Sequence, residues 1–179
     1  MAVNPYMKKV YVARTMDTGR GIFAKTDIKK NEEIFVVKGK VIKDHYGFKG
    51  KNYGSKGKYL GDRWLIIGKR TWISPFRSNP YWFINHSCNP NAGSRGKVTI
   101  LAMKGIKKDE GITIDYSTTE EDPYWRMKCN CGSKNCRKII RSVQFLPEEI
   151  FKRYKPYIPK YLQRFYVNSH NPNLQPNEI

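Results

Sequence analysis

Three of the four cysteines lie close together in the sequence, at Cys129, Cys131 and Cys136, in the pattern Cys-x-Cys-x4-Cys. Thiolates at this spacing can surround one tetrahedral metal ion, and Gly132 eases the turn between the ligands. Three ligands leave a fourth position empty, and Cys88 is the candidate to fill it. The pattern therefore predicts one structural Zn²⁺ held by four cysteines, with no open position for catalysis. The alternative is three reduced surface cysteines, which is disfavoured because proteins avoid clusters of exposed thiols.

Cys88 belongs to a second motif, residues 85–91, which reads Asn-His-Ser-Cys-Asn-Pro-Asn and follows the apolar residues 81–84. Asn, Ser and Pro are typical of a turn, and a single histidine more often forms a structural hydrogen bond than acts as a catalyst. If Cys88 and the C-terminal cysteines share one ion, however, this turn is drawn toward a segment roughly forty residues away. The turn would then shape a cleft.

A third candidate is Tyr116, which ends a β-like run at residues 112–116, Ile-Thr-Ile-Asp-Tyr. A tyrosine at the edge of a strand often covers the core. Its phenol can instead orient an amine, because the hydroxyl both donates and accepts hydrogen bonds and stays neutral below about pH 10. The residues alone leave both interpretations open.

The elements that carry these motifs are predicted to be short strands, at residues 9–13, 22–24, 34–37, 64–67, 98–102 and 112–116. Helices are predicted at 146–155, where acids precede bases, and at 159–166. Residues 43–61 are rich in Gly, Lys and Tyr without an apolar period, which predicts an exposed loop. Together these patterns indicate a mainly β domain with short helices.

The chain has 179 residues and a net charge of +19. Its 39% hydrophobic and 13% aromatic content exclude a disordered polycation, and its length suits one folded domain. No run approaches eighteen apolar residues, and the first residues lack the layout of a signal peptide, so no membrane association is expected. The clustered cysteines predict an intracellular, reducing compartment, either the cytoplasm or, in a eukaryote, the nucleus.

Taken in order, four segments resemble the SET-domain family of protein-lysine N-methyltransferases with a post-SET zinc motif, over about residues 8–140. They are residues 19–24 (Gly-Arg-Gly-Ile-Phe-Ala), 83–91, 112–116 and the cysteine array followed by Arg137. The resemblance implies a β-rich fold of small curved sheets with a C-terminal pseudoknot, a zinc-bound segment and a C-terminal helix. We accordingly divide the chain into a SET domain (1–120, with a basic insert at about 43–77), a post-SET zinc segment (121–140), a helical extension (141–167) and a flexible tail (168–179).

The resemblance also implies an activity, the transfer of a methyl group from S-adenosylmethionine to the side-chain amine of a lysine. The substrate would be a protein, such as a histone or another nucleic-acid-associated protein. Tyr116 matches the catalytic tyrosine of the family, and Tyr59 matches a second tyrosine of the lysine channel. The residues implied to bind the cofactor are Gly19, Arg20, Gly21, Trp82, Asn85 and His86. Trp82 stands where many members of the family carry arginine.

A competing hypothesis is a zinc-containing basic module that binds nucleic acid or chromatin without catalysis. Residues 38–77 contain eleven Lys or Arg and two Asp or Glu, a net charge of +9, with aromatic residues between them. Such segments can follow phosphates and stack on bases. A solvated basic surface is the simpler explanation of the same charge. A SET-like domain that has lost activity is the third hypothesis, against which Tyr116 and the Asn85-His86 pair argue.

Overall fold

The computed structural model describes residues 5–16, 19–43, 64–171 and 173. Within these ranges the chain forms twelve short strands and two α-helices, joined by 3₁₀ turns. The strands are β1 Val10–Thr15, β2 Gly19–Ala24, β3 Glu33–Val36, β4 Gly39–Lys43, β5 Leu65–Gly68, β6 Thr71–Pro75, β7 Asn85–His86, β8 Ala92–Arg95, β9 Thr99–Ala102, β10 Gly111–Ile114, β11 Arg126–Lys128 and β12 Ile139–Arg141. The helices are α1 Glu148–Tyr154 and α2 Lys160–Ser169.

The strands form four small sheets. Their orders are β1-β2-β10-β7, β3-β9-β8, β4-β6-β5 and β11-β12. Most neighbours pair antiparallel, as expected for strands joined by short turns. The exception is β7, which pairs parallel to β10 with Asn85 opposite Thr113 and His86 opposite Ile114. This pairing places the Asn-His motif beside the strand that leads to Tyr116.

The main core lies between the sheets and consists of branched aliphatic side chains. Its fully buried members include Val10, Ile22, Ile100, Ile112 and Ile114. Their β-branched shapes suit a pleated surface, and their burial supplies the main favourable free energy for joining sheets this small. The core therefore fixes β2 and β10, the two strands that carry the glycine turn and the Asp-Tyr motif.

A second core joins the two C-terminal helices to the β4-β6-β5 sheet. Ile66 of β5 packs there with Val143, Phe151 and Leu162. Helix α1 carries Glu148 and Glu149 in its first turn and bases in its last turn, an order that favours the helix dipole. The C-terminal helices thus cover the central sheets and do not extend away from them.

One hydrogen bond connects the C-terminal helices to the turn that contains Cys88. The hydroxyl of Tyr154, at the end of α1, is buried and donates a hydrogen bond to the backbone carbonyl of Cys88 at 3.1 Å. The 3₁₀ turn that follows, Lys155–Tyr157, lies against β8 at Gly93. A Cβ atom at Gly93 would lie 2.7 Å from Tyr157 Cβ and 2.8 Å from Tyr157 O, so only glycine permits this approach. Tyr157 therefore covers the face of β8 toward which a side chain at Gly93 would point.

The structure confirms the predicted β-rich class. The helices predicted at 146–155 and 159–166 correspond to α1 and α2. Among the described helices, none is long and apolar enough to cross a membrane. The predicted loop at 43–61 and Tyr59 lie outside the described residues, apart from Lys43 at the end of β4. The fourfold division of the chain stays a prediction.

Candidate active site and metal centre

The turn that follows β7 is held in place by Asn91. Its Oδ1 accepts a hydrogen bond from the backbone N–H of Thr113 at 2.9 Å, and its Nδ2 donates to Gly111 O at 2.8 Å and Glu110 Oε1 at 2.9 Å. Asn91 is only 3% exposed, so these bonds replace its contacts with water. This role of Asn91 is not evident from the sequence, because an asparagine near proline usually indicates only a turn.

Tyr116 is fixed at both ends by the motif opposite it. Its backbone N–H donates to His86 Nδ1 at 3.1 Å, and its phenol donates to the backbone carbonyl of Ile84 at 2.7 Å. The rings of Tyr116 and His86 lie 5.4 Å apart, tilted by 54°. Because the phenol donates its hydrogen to Ile84 O, its oxygen can meet a further donor only as an acceptor.

His86 is neutral in this environment. Burial lowers the pKa of its imidazole to about 4; the nearby Asp115 carboxylate opposes that shift and the Arg137 guanidinium reinforces it. Since Nδ1 accepts the Tyr116 N–H, the single ring proton is on Nε2. Nε2 lies 3.4 Å from Cys88 Sγ, toward which it can donate. His86 therefore connects the tyrosine to the cysteine cluster.

The predicted glycine turn lies next to Asn85. Gly19 has a φ of +77°, which a side chain would disfavour, and the side-chain direction at Gly19 faces open space. Asn85 Nδ2 donates to Arg20 O at 3.0 Å. A Cβ atom at Gly21 would lie 2.9 Å from Thr15 Cγ2 and 3.0 Å from Asn85 Nδ2. The exposed backbone of Gly19 and Arg20 thus lies beside Asn85, while Gly21 is buried against it.

The side chains of Arg20 and Trp82, which are also predicted to bind the cofactor, contact other residues than Asn85 and His86 in the interactions that follow. The Arg20 guanidinium lies 6.0 Å from the Phe83 ring centroid. Trp82 lies in the 3₁₀ turn Pro80–Phe83, which contacts β1 and β2, and its ring is 5.1 Å from the Arg77 guanidinium. Tyr59, the second predicted catalytic residue, cannot be placed because it lies outside the described ranges.

The structure brings the four cysteines together with His86. The nearest ligand atoms of His86, Cys88, Cys129 and Cys131 all lie within 4.8 Å of one another. Cys136 packs in the same cluster, with its Sγ 3.4 Å from Cys129 O. Zn–S bonds of about 2.3 Å in a tetrahedron set the sulfurs roughly 3.8 Å apart. The Sγ atoms of Cys88 and Cys129 lie 3.8 Å apart, so this pair of sulfurs fits such an ion, and the close group includes His86 in place of Cys136.

Backbone and side-chain donors around the sulfurs favour thiolates. Burial alone would raise the pKa of the Cys131 thiol, but hydrogen bonds from the Cys88 N–H and from Ser133 lower it to about 6. At Cys129 the opposite holds, because burial raises the pKa of its thiol. Both the backbone N–H and the Nε of Arg137 point at Cys88 Sγ, at 3.4 and 3.5 Å. Such donors stabilise negative charge on sulfur and orient metal ligands.

A buried ion pair connects the cysteine loop to the strand before Tyr116. Arg137 NH2 lies 2.6 Å from both carboxylate oxygens of Asp115, whose side chain is 1% exposed. Asp115 Oδ1 also accepts the Ser117 N–H at 3.0 Å and so caps the 3₁₀ turn Tyr116–Thr119. Neither charged residue has a role that is evident from the sequence alone. The available signal was their position, with Arg137 directly after the last cysteine and Asp115 directly before the tyrosine.

Glu120, just after that turn, gives the site a titratable group near neutral pH. Burial raises the pKa of its carboxyl from 4.5 to about 7; hydrogen bonds from the N–H groups of Asp122 and Glu121 oppose this shift, and the negative charges of the same two residues add a smaller increase. The folded state therefore binds a proton that the unfolded state has released, and stability falls as pH rises from 4.5 to about 7.

Glu120→Gln is expected to remove this pH dependence, because the amide oxygen can still accept both N–H groups and carries no charge. As the pH rises from about 5 to about 8, the free energy of unfolding of the variant should increase by up to about 3 kcal/mol relative to that of the unchanged protein. Urea unfolding at the two pH values measures the difference. Parallel stability profiles for the two proteins would contradict the assignment.

The comparisons with known proteins agree with this arrangement. Residues 19–117 match the family model described as the SET domain. The chain is 32% identical over 138 residues to human Histone-lysine N-methyltransferase 2B, covering 73% of this chain and 5% of that protein. It is 30% identical over 146 residues to Histone-lysine N-methyltransferase ASHR3 of Arabidopsis thaliana, covering 74% and 28%. The chain thus spans only a small part of these curated relatives.

Solved structures show the same fold. The methyltransferase domain of human Histone-lysine N-methyltransferase SETMAR superposes with a TM-score of 0.60 at 21% identity, over 74% of this chain and 58% of that one. KRYPTONITE, crystallised with mCHH DNA, an H3(1-15) peptide and SAH, gives a TM-score of 0.57 at 21% identity, over 74% and 29%. With the family match covering more than half of the sequence, the chain belongs to the SET-domain family.

Proposed function

We propose that the protein is a lysine methyltransferase that uses S-adenosylmethionine as the methyl donor and a protein as the substrate. The observation that carries this proposal is the double anchoring of Tyr116 on Ile84 and His86, directly beside the Asn85 and glycine turn. The relatives named above are histone-lysine methyltransferases, and one structural neighbour was solved with SAH and an H3 peptide.

The residues present fit the cofactor at one face of this site. S-adenosylmethionine, when bound, supplies an electrophilic methyl group. The exposed backbone of Gly19 and Arg20, the buried Gly21 beside them and the side chains of Asn85 and His86 would hold it, and Trp82 lies on the neighbouring 3₁₀ turn. The missing side chain at Gly21 matters because a Cβ atom there would strike Asn85.

Tyr116 would orient the substrate amine. Its phenol hydrogen is directed at Ile84 O, so its oxygen would meet a lysine N–H as the hydrogen-bond acceptor. Alignment of this kind is the main task in a displacement, since small errors in approach cost large factors in rate. A lysine near its usual pKa of about 10.4 must also lose a proton before it can attack. Tyr59 stays a candidate for the second tyrosine of the lysine channel.

We further propose that Cys88, Cys129, Cys131 and Cys136 hold one structural Zn²⁺. The spacing of Cys88 and Cys129 and the N–H groups directed at the sulfurs support this. His86 is the rival fourth ligand, but its Nε2 proton and its bond to Tyr116 favour a supporting role next to the ion. Free thiols are best preserved in a reducing intracellular compartment, the cytoplasm or a nucleus.

The partner is a protein that presents a lysine. The net charge of +19 favours a nucleic acid or another acidic surface as a second partner. A basic zinc module without catalysis would explain the charge, but it gives no reason for the fixed Tyr116 beside an open glycine turn.

Calorimetric titration with S-adenosylhomocysteine, together with zinc analysis, tests the proposal. Tyr116→Phe is expected to bind S-adenosylhomocysteine normally and to lose methyl transfer to an H3 peptide by about 100-fold or more. Tyr11→Phe is the matched control, because its phenol contacts Asp109 and lies outside the site. A folded Tyr116→Phe variant with normal activity would contradict the catalytic assignment. No binding of S-adenosylhomocysteine by the unchanged protein would overturn the function.

A further inference from the structure

An open groove of about 500 Å³ lies between the β8–β9 turn and the two C-terminal helices. Its lining carries four cations and no acidic residue; the cations are Arg95, Lys152, Lys155 and Lys160. Between them the lining is formed by Pro156 and Ile158. None of the residues that line this basic groove belongs to the candidate active site or to the cysteine cluster, so its charge needs a separate explanation.

The cations of the basic groove are available to a ligand to different degrees. Lys152 is paired with Glu148 at 2.6 Å, so part of its charge is already compensated. Arg95 donates to the neutral Asn31 and lies 5.8 Å from the Tyr157 ring, which leaves its charge uncompensated. Lys155 and Lys160 are exposed, and within the described ranges no carboxylate pairs with either. Three full positive charges therefore converge on one concave surface.

The shape of the basic groove argues against a peptide and against single-stranded bases. A peptide often binds by adding a strand to a sheet, but Arg95 is the only residue of the groove lining that belongs to a described strand. Single-stranded nucleic acid needs exposed aromatic rings for stacking, and Tyr157 is 7% exposed and lies beneath Arg95. Lysines on flexible stems around a short apolar floor instead suit phosphate groups, which they meet as point charges.

We propose that the basic groove binds the phosphate backbone of a nucleic-acid duplex, as a second site outside the active site. This goes beyond the proposed methyl transfer and does not depend on it. Binding would be independent of base sequence, because the groove offers only charge. It would release counterions, so its affinity would fall steeply with salt.

The test is the triple variant Arg95→Gln, Lys155→Gln and Lys160→Gln, measured by fluorescence anisotropy with a labelled duplex of about 20 base pairs over a range of salt concentrations. With about 0.9 counterions per contact, the slope of log K against log salt should become shallower by about 2.7. Affinity at low salt should fall at least about tenfold. The matched control is Lys8→Gln, Lys104→Gln and Lys108→Gln, which removes the same charge from exposed positions outside the groove.

The control separates the groove from the general charge of the protein. Equal duplex binding by the two triple variants, or no duplex binding by the unchanged protein, would overturn the proposal. Competition with polyglutamate identifies the class of partner. If polyglutamate displaces the duplex as well as unlabelled duplex does at equal total charge, the groove is a site for an acidic protein and the proposal is wrong. Far-UV circular dichroism and thermal unfolding verify that both variants are folded.

Discussion

Replacement of Cys129 by serine is expected to remove zinc from the protein and to lower its free energy of unfolding by several kcal/mol. Structural zinc supplies on the order of 10 kcal/mol in small metal-dependent domains, although unfolding of the β11–β12 segment alone would limit the loss here. Cys129 is buried at the centre of the cluster, next to Cys88. Zinc content by elemental analysis and thermal unfolding with and without a chelator measure both effects.

Two further substitutions identify the fourth ligand. If four cysteines hold the ion, Cys136→Ser should lose zinc and His86→Gln should keep it. The control is Ser133→Ala, since Ser133 Oγ lies 3.1 Å from Cys131 Sγ but is not a proposed ligand. The reverse result for Cys136 and His86 would replace the four-cysteine set with three cysteines and one histidine. Full zinc content and unchanged stability in Cys129→Ser would exclude a structural metal at this position.

Arg137→Met is expected to lower the free energy of unfolding by about 3 to 5 kcal/mol, because it leaves the Asp115 carboxylate buried and without its partner. The same change should lower kcat, since Asp115 caps the turn that begins at Tyr116. Arg137→Lys should recover only part of both, because an ammonium group cannot reproduce the two bonds to one carboxylate. Denaturant unfolding and steady-state kinetics, taken where each variant is folded, measure the two effects.

A double-mutant cycle separates positioning from plain stability. Combining Arg137→Met with Asp115→Asn removes both charges, so the pair should cost less than the sum of the single changes, with a coupling of about 1 to 3 kcal/mol. Arg126→Met is the control, because Arg126 is an exposed residue in β11 of the same hairpin. Additive costs would show that the ion pair contributes nothing specific. Loss of stability without any change in kcat would contradict its positioning role.

The sequence predicted those features that rest on local spacing. The spacing of Cys129, Cys131 and Cys136, two and five residues apart, predicts a metal site. The apolar patterns of short segments predict β3, β9, α1 and α2. The parallel pairing of β7 with β10 could not be predicted from composition or from hydrophobic period. It involves only two residues of each strand, and the two strands are far apart in the chain. The resemblance to a family implied a pseudoknot but did not specify this strand pair.

Two charged features needed the fold itself. Arg137 and Asp115 are separated by 22 residues and meet only because the cysteine loop returns to the end of β10. Arg95 joins Lys155 and Lys160 because α1 and α2 pack against β5 and because Gly93 admits Tyr157. Charge counts along the sequence had instead drawn attention to residues 38–77. Their central part lies outside the described residues.

The bond from Tyr154 to Cys88 has a consequence for folding autonomy. The segment that matches the family model, residues 19–117, contains Cys88 but lacks its three partner cysteines, Arg137 and Tyr154. As an isolated fragment, that segment would expose the Ile66 side chain that the C-terminal helices cover. It would also lose the contacts of Cys88 with the other cysteines and with Tyr154. We therefore expect the smallest independently folding unit of this protein to extend well past residue 117 and to include α2.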